Sequence, residues 1–517
     1  MKKIFKTSKW FHKYLGLALI LFLMWESVSG IMMNHPELIS DFSVPRWAVP
    51  EHYHVKNWSR SSIIKMIYSN KDSTRAYACG KLGVWETKDG GKTFHSYMNN
   101  FPTSPFYKKT NDIFLLNYES EEYLFAATDG GLYINDLTTN NWTNIKLGGE
   151  QEKVKKILKI KNRIKIITES NFYESELNQN SPKKLLFTKT ELVKNNDERV
   201  VTLVELFFHL HDGRVLGLPG KLLFDLVGVI IFFLSISAFY AWYFPKMLKR
   251  KRKKKILLKR SEKRAFKFLF KYHLRLGIWA AAIMLIVAGT AFFMRPPMLA
   301  VIATVTIPAK WYPGFLPDNP WHEKIHTALY DPIDDKIILE TTEGLYQANN
   351  ESALNFQKTK LNSPIFVMGP TVFDTLGHGG YLIGSFNGLF HLERSTGKPI
   401  DLLTGKEATN ISNVRPAEKM ITGYFRTPQG EEFITTHEKG LLPIGNSKLN
   451  NRFQMPKEIL AECRMPLWNY LFEIHNGRFF KGTLGGLYIL LVPIGSLFFF
   501  IAIVTGVYDW FVVRKRK

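Results

Sequence analysis

Four histidines stand at matched places in this chain of 517 residues. His12 lies in Lys9-Trp10-Phe11-His12-Lys13-Tyr14-Leu15-Gly16-Leu17, and His273 in Phe270-Lys271-Tyr272-His273-Leu274-Arg275-Leu276-Gly277-Ile278. His211 lies in Leu206-Phe207-Phe208-His209-Leu210-His211-Asp212-Gly213-Arg214, and His475 in Tyr470-Leu471-Phe472-Glu473-Ile474-His475-Asn476-Gly477-Arg478. Imidazole changes charge near neutral pH, and it binds metals through one ring nitrogen while an acceptor holds the other. Two such rings facing one another can share a metal ion, or each can be a plain interfacial side chain. Which of these applies depends on the elements that carry them.

Those elements are membrane spans. Four apolar stretches, approximately Tyr14–Met33, Leu222–Phe244, Leu276–Met294 and Leu484–Val507, are long enough to cross a bilayer, which takes roughly 20 residues. Twenty-two of the 69 Lys and Arg residues lie in 1–13, 246–267 and 514–517, against one acid, Glu262, so only +3 of the net +24 belongs to the rest of the chain. Each basic run abuts an apolar stretch. A nucleic-acid binder would interleave its charge with aromatics on a folded surface, so the pattern argues for a lipid bilayer as partner and against nucleic acid. The positive-inside rule then places both termini and the 246–267 loop in the cytoplasm, with two large external segments opposite. A cleaved signal peptide is the competing reading of the first stretch.

The sequence duplicates itself. Each half reads span, external segment, span, and each first span carries a small-residue step, Val28-Ser29-Gly30 or Val287-Ala288-Gly289. The second spans end in Tyr240, Trp242 and Tyr243, or Tyr508, Trp510 and Phe511. Two halves in one orientation imply a pseudo-two-fold axis along the membrane normal. His12 and His273 then meet at the cytoplasmic level, and His211 and His475 at the external level. Two histidines at one level on different helices can be the axial ligands of a b-type haem, so two haems are expected. Arg214 and Arg478, three residues after the external histidines, are candidates for pairing with haem propionates. His35, His209 and the intramembrane carboxylate Glu26 are weaker candidates, with Asp225 another carboxylate at a span start. No catalytic residue is assigned.

The His-x-x-Leu-Gly opening at His12 and His273, with the His-(Asp/Asn)-Gly-Arg element at His211 and His475, resembles the PepSY-associated transmembrane family. That family includes inner-membrane ferric-siderophore reductases. The resemblance covers the four spans and their flanks, and it implies two haems held in the bundle by His12 with His273 and by His211 with His475. No PepSY module is legible outside the membrane.

Between the spans the text turns to short strands. Thr87-Lys88-Asp89-Gly90-Gly91-Lys92-Thr93-Phe94 resembles an Asp-box hairpin turn, and related turns recur at Cys79–Trp85, Thr128–Tyr133, Thr342–Tyr346, Phe386–Phe390 and His437–Leu442. Their spacing of about 40–52 residues is near that of propeller blades. Each segment has few repeats for a closed ring, so either both complete one ring or each forms a small open stack. The expected fold is a four-helix transmembrane bundle from a tandem-duplicated unit, with two external β-rich domains of propeller-like repeats. Its boundaries are 1–44 for the N-terminus and first span, 45–205 for the first external domain, 206–245 for the second span and 246–267 for the basic loop. The third span follows at 268–295, the second external domain at 296–469, and the last span with its tail at 470–517. Two cysteines, Cys79 and Cys463, exclude a disulfide scaffold and a cysteine-ligated cluster; whether they bond is open.

The expected activity is electron transfer across a bacterial inner membrane to a periplasmic acceptor, ferric iron or a ferric-siderophore. No Gly-x-Gly-x-x-Gly turn or room for a Rossmann unit exists on the cytoplasmic side. The donor must therefore be separate, a quinol or a cytoplasmic reductase, and an uptake partner could deliver the chelate. The alternative is a non-enzymatic anchored sensor or assembly protein whose β domains bind a ligand or partner.

Overall fold

In hydrocarbon a backbone must satisfy its own hydrogen bonds, which makes helices of the apolar runs. The computed structural model describes residues 2–148, 152–177, 182–194, 199–351, 353–359, 361, 364–376, 380–394, 396–409, 411–412, 416–462 and 464–514. The chain divides into a helical unit (1–39, 198–316 and 467–517) and a β unit (40–197 and 317–466).

The helical unit is built from α1 (Lys2–Ala18), α2 (Ile20–Asn34), α3 (Leu203–Asp212), α4 (Gly217–Lys253), α5 (Arg260–Trp279), α6 (Ala281–Phe293), α7 (Leu467–His475) and α8 (Leu491–Arg514). The stretches Arg214–Lys253 and Arg478–Arg514 are each long and apolar enough to cross a membrane. The pairs α1–α2 and α5–α6 reach that length together, bent by 60° and 67° at Leu19 and Ala280. The bends are equivalent, each three residues after the glycine of the His-x-x-Leu-Gly opening. A Cβ on Gly16 would meet nothing within 4 Å, and one on Gly277 only ordinary contact with Leu234 at 3.8 Å. Close packing therefore does not require these glycines. Their weak helix propensity at the approach to the break is what they contribute.

The bends let each kinked pair change partner. α1 packs on α8 and α2 on α4, while α5 packs on α4 and α6 on α8. α3 lies on α6, and α7 lies on α2 in the same way. The basic stretch expected as a loop over 246–267 is largely helix: α4 runs to Lys253 and α5 starts at Arg260. Lys and Arg are good helix formers and favour a helix C-terminus, so the charge continues α4 rather than ending it.

Among the described residues the β unit contains six sheets of three to five strands in chain order, antiparallel but for one strand, besides a two-stranded pair of Ser43–Val44 with Met465–Pro466. Their first strands are β1 (Lys65–Tyr68), β2 (Thr110–Tyr118), β3 (Val154–Ile160), β4 (Ile325–Asp331), β5 (Val372–Thr375) and β6 (Ile421–Arg426). Six apolar cores alternate with the six sheets. One lies between each sheet and the next, and the last, around Trp58, Met66, Phe425 and Phe433, joins the sixth sheet to the first. The β-rich segments expected as two domains thus share one compact unit. Three sheets alone would leave two apolar faces bare, and the second segment covers them. The segments also interlock, since Leu192–Lys194 of the first adds a parallel strand to Leu354–Lys358 of the fourth sheet. At the closure the Leu441 amide donates to the Asn57 carbonyl at 2.8 Å. Gly440, at φ +75°, leaves the room, because a Cβ there would come 1.8 Å from that oxygen.

The Asp-box is a hairpin lock. Asp89 Oδ1 accepts from the Lys92 and Thr93 amides and the Thr87 hydroxyl, each at 2.9 Å, and Oδ2 from the Thr93 hydroxyl at 2.6 Å. Burial opposes its ionisation, yet these donors hold its carboxyl down to about 2. Cys79 is wholly buried and burial pushes its thiol up; Cys463 lies outside the described residues.

Candidate histidine site in the helical unit

The His-(Asp/Asn)-Gly-Arg element is a helix ending. Thr202 caps α3 by accepting from the Glu205 amide at 3.1 Å. Gly213 and Gly477, at φ +84° and +77°, end α3 and α7 in the left-handed conformation that glycine favours. Asp212 Oδ1 and Asn476 Oδ1 then accept from the Arg214 and Arg478 amides at 2.9 and 3.0 Å. This corner turns each short helix into its spanning helix and places the histidine beside the turn.

The four matched histidines meet in two pairs. The ring centres of His12 and His273 are 6.2 Å apart with planes at 73°, and those of His211 and His475 are 6.3 Å apart at 76°. Every one of the four has its Nδ1 at an acceptor. His12 Nδ1 lies 2.8 Å from the Ala502 carbonyl, and His273 Nδ1 2.8 Å from Ser237 Oγ. His211 Nδ1 lies 3.2 Å from both the Val287 carbonyl and Thr290 Oγ1. His475 Nδ1 lies 2.9 Å from both Ser29 Oγ and Glu26 Oε2.

The hydroxyls have spent their own hydrogens. Ser29 donates to Trp25 O at 2.8 Å, Thr290 to Ile286 O at 2.8 Å and Ser237 to Leu234 O at 3.0 Å. The Ala502 and Val287 carbonyls and the Glu26 carboxylate can only accept, which puts the proton on Nδ1 of His12, His211 and His475 and leaves each Nε2 lone pair for a ligand; a Ser237 hydroxyl donating to Leu234 O accepts from His273 in the same way. Two imidazoles sharing one metal through Nε2, each nitrogen about 2.0 Å from it and about 1.1 Å from its ring centre, would have centres roughly 6.2 Å apart. Both pairs have that spacing. Among the described residues no group of three or more His, Cys, Asp or Glu side chains could cage a metal.

The remaining candidates fall elsewhere. Arg214 Nε pairs with Asp212 Oδ2 at 2.7 Å, and Arg478 Nη2 with Glu473 Oε1 at 2.7 Å. Arg478 Nε and Asn476 Nδ2 are buried without a hydrogen-bond partner among the described residues. His35 Nε2 sits 2.7 Å from Asp225 Oδ2, and His209 Nδ1 2.8 Å from the Tyr312 hydroxyl, so neither joins a pair. Glu26, with little weight in the sequence, comes directly onto His475.

Sequence reasoning missed Ser29, Thr290, Ser237 and Gly506. The small-residue steps align Ser29 with Ala288, two residues from its structural equivalent Thr290. Taking Glu26 opposite Val287 restores the match. Gly506 gives no sequence signal, yet a Cβ there would stand 2.7 Å from His12 Cε1.

No curated protein matches the chain. Among solved structures, the extracellular domain of BT4673 from B. thetaiotaomicron, described as a hybrid two-component system, is 10% identical at TM-score 0.35, covering 79% of this chain and 34% of that one. The chain thus spans about a third of that relative's length. YCF48 bound to D1 peptide is 11% identical at TM-score 0.31, covering 78% and 98%. PorZ, a surface component of the type-IX secretion system of Porphyromonas gingivalis, is 10% identical at TM-score 0.34, covering 74% and 38%. The family description that matches is the PepSY-associated TM region, over residues 6–244, from the first bent helix through the apolar run of α4, and it is to this family of membrane proteins that the chain is similar.

Proposed function

We propose that the chain is a di-haem inner-membrane reductase that passes electrons from the basic end of the helical unit to an acceptor at the far end. The acceptor is ferric iron or a ferric chelate of the siderophore kind. The observation that carries the reading is the doubled histidine pair, with four Nδ1 atoms at acceptors and ring centres at 6.2 and 6.3 Å. Haem bound at each pair would supply one-electron chemistry in a layer that otherwise blocks charge. His12 with His273, and His211 with His475, would hold it.

The chain's own residues do the rest. The acceptors fix each imidazole's tautomer and direction. The apolar core around Val227, Ile230, Met284 and Ile503 excludes water between the levels. Asn476 Nδ2 and Arg478 Nε, buried and without a hydrogen-bond partner among the described residues, are donors of the kind that a propionate carboxylate takes up. The basic runs fit a cytoplasmic face and the β unit a periplasmic one. The closed cycle of six sheets supports reading that unit as a six-bladed β-propeller, three blades from each segment, able to orient a chelate or dock the partner that delivers it. Electrons come from a separate quinol or reductase, one for each ferric ion reduced.

The test is the colour of the full chain purified in mild detergent from haem-replete cells. A Soret band with an α band sharpened by dithionite is expected, together with reduction of a ferric chelate by the dithionite-reduced protein. A colourless preparation would leave an anchored β unit that binds a ligand or partner without electron transfer.

A further inference from the structure

The two halves supply the same acceptors to the far pair with one exception. Ser29 and Thr290 stand at equivalent positions and each holds an Nδ1. The second acceptor comes from positions 26 and 287, which are also equivalent. In one half it is the backbone carbonyl of Val287, at 3.2 Å from His211; in the other it is the Glu26 carboxylate, at 2.9 Å from His475.

We propose that Glu26 is a positioning residue that makes the two histidine pairs chemically unequal: its carboxylate on His475 lowers the reduction potential of the haem held at the far pair. The inference rests on the di-haem reading. A carboxylate behind a ligating imidazole raises the ligand's basicity more than a carbonyl does, and a more basic ligand favours ferric over ferrous iron. Surrounding low dielectric enlarges the effect of a charge. Packing does not demand Glu26, since Val287 fills the matched position of the same bundle, and a carboxylate in a span is costly. Neither basic-end histidine has a carboxylate at its Nδ1; the acceptors there are a carbonyl and a hydroxyl. A lowered potential at the far end suits an acceptor that is itself hard to reduce. Ferric ion in a strongly ferric-selective chelate is such an acceptor.

The experiment is a spectroelectrochemical titration of the purified full chain, wild type against Glu26→Gln, with haem content measured on both. Glutamine keeps the volume and still accepts from Nδ1–H, so only the charge is removed. Two haems should remain; the component absent from His475→Ala should move to higher potential, and the other should stay. Two bound haems with neither potential moved would overturn the proposal, as would a shift confined to the component absent from His12→Ala. Should Glu26→Gln fail to assemble, the mirror change Val287→Glu places a carboxylate behind His211 and should lower the same far component; no shift there overturns it as well. A wild-type protein without haem refutes the parent reading and this one with it, whereas haem bound but unshifted refutes only the role of Glu26.

Discussion

The basic-end and far-end pairs reach nearly the same ring separation by opposite means. At the basic end the histidines ride on the first limbs of the bent helices, α1 and α5, and the straight helices α8 and α4 supply the acceptors. At the far end they ride on α3 and α7, which lead into the straight helices, and the second limbs α6 and α2 supply the acceptors. Each histidine is thus aimed by a helix other than its own. The spacing is a property of the bend and of partner exchange, not of either short motif. Among the described residues, only the far end sets a carboxylate at a histidine Nδ1.

The largest effect that would break this symmetry comes from Gly506→Leu. A side chain there must displace the His12 ring, so the variant should lose about half its haem and keep the far pair's spectrum, read by haem-to-protein ratio. Loss from both levels would mean that the pairs are not separately assembled. Gly440→Val serves as the control outside the site. It drives a Cβ into the Asn57 carbonyl at a left-handed position, destabilising the β unit by about 2–4 kcal/mol. Thermal melting should fall while both pairs keep their spectra. A smaller change, Ser237→Ala, takes the acceptor from His273 and should weaken retention at the basic end about tenfold, as outer partners of metal ligands typically do. Thr290→Val should matter less, because His211 keeps the Val287 carbonyl.

The smallest effect is in the Asp-box. Asp89→Asn should cost the β unit of order 1 kcal/mol at neutral pH. Because the folded carboxyl is held at about 2, below an unfolded value near 3.9, its stabilisation is complete above about pH 4 and is lost as pH falls through about 2. The melting difference between wild type and variant should shrink over that window.

Much of the helical unit was legible because hydrocarbon leaves a chain few choices: apolar length marked the two long helices and the two bent pairs, and self-comparison the four histidines. The bends at Leu19 and Ala280 were not legible, since Gly16 and Gly277 look like ordinary small residues inside apolar runs. Glu26 was undervalued because its opposite number, Val287, acts through a backbone carbonyl that no side-chain comparison reveals. In the β unit the turns at Gly131, Gly344 and Gly440 were readable. The matching third-sheet turn was not, because Thr168 there bonds to the Asn171 carbonyl, with asparagine where the others have glycine. Three glycine-marked turns per segment left open one shared ring or two open stacks. Only the packing of the sixth sheet on the first makes one cycle.

The measurement that bears most directly on the two-level account is haem stoichiometry across matched double variants. Wild type should carry two haems per chain. His12→Ala with His273→Ala should carry one, His211→Ala with His475→Ala should carry the other, and His12→Ala with His475→Ala should carry none. A single haem surviving in that last variant, or the same haem lost from both within-level doubles, would contradict the pairing.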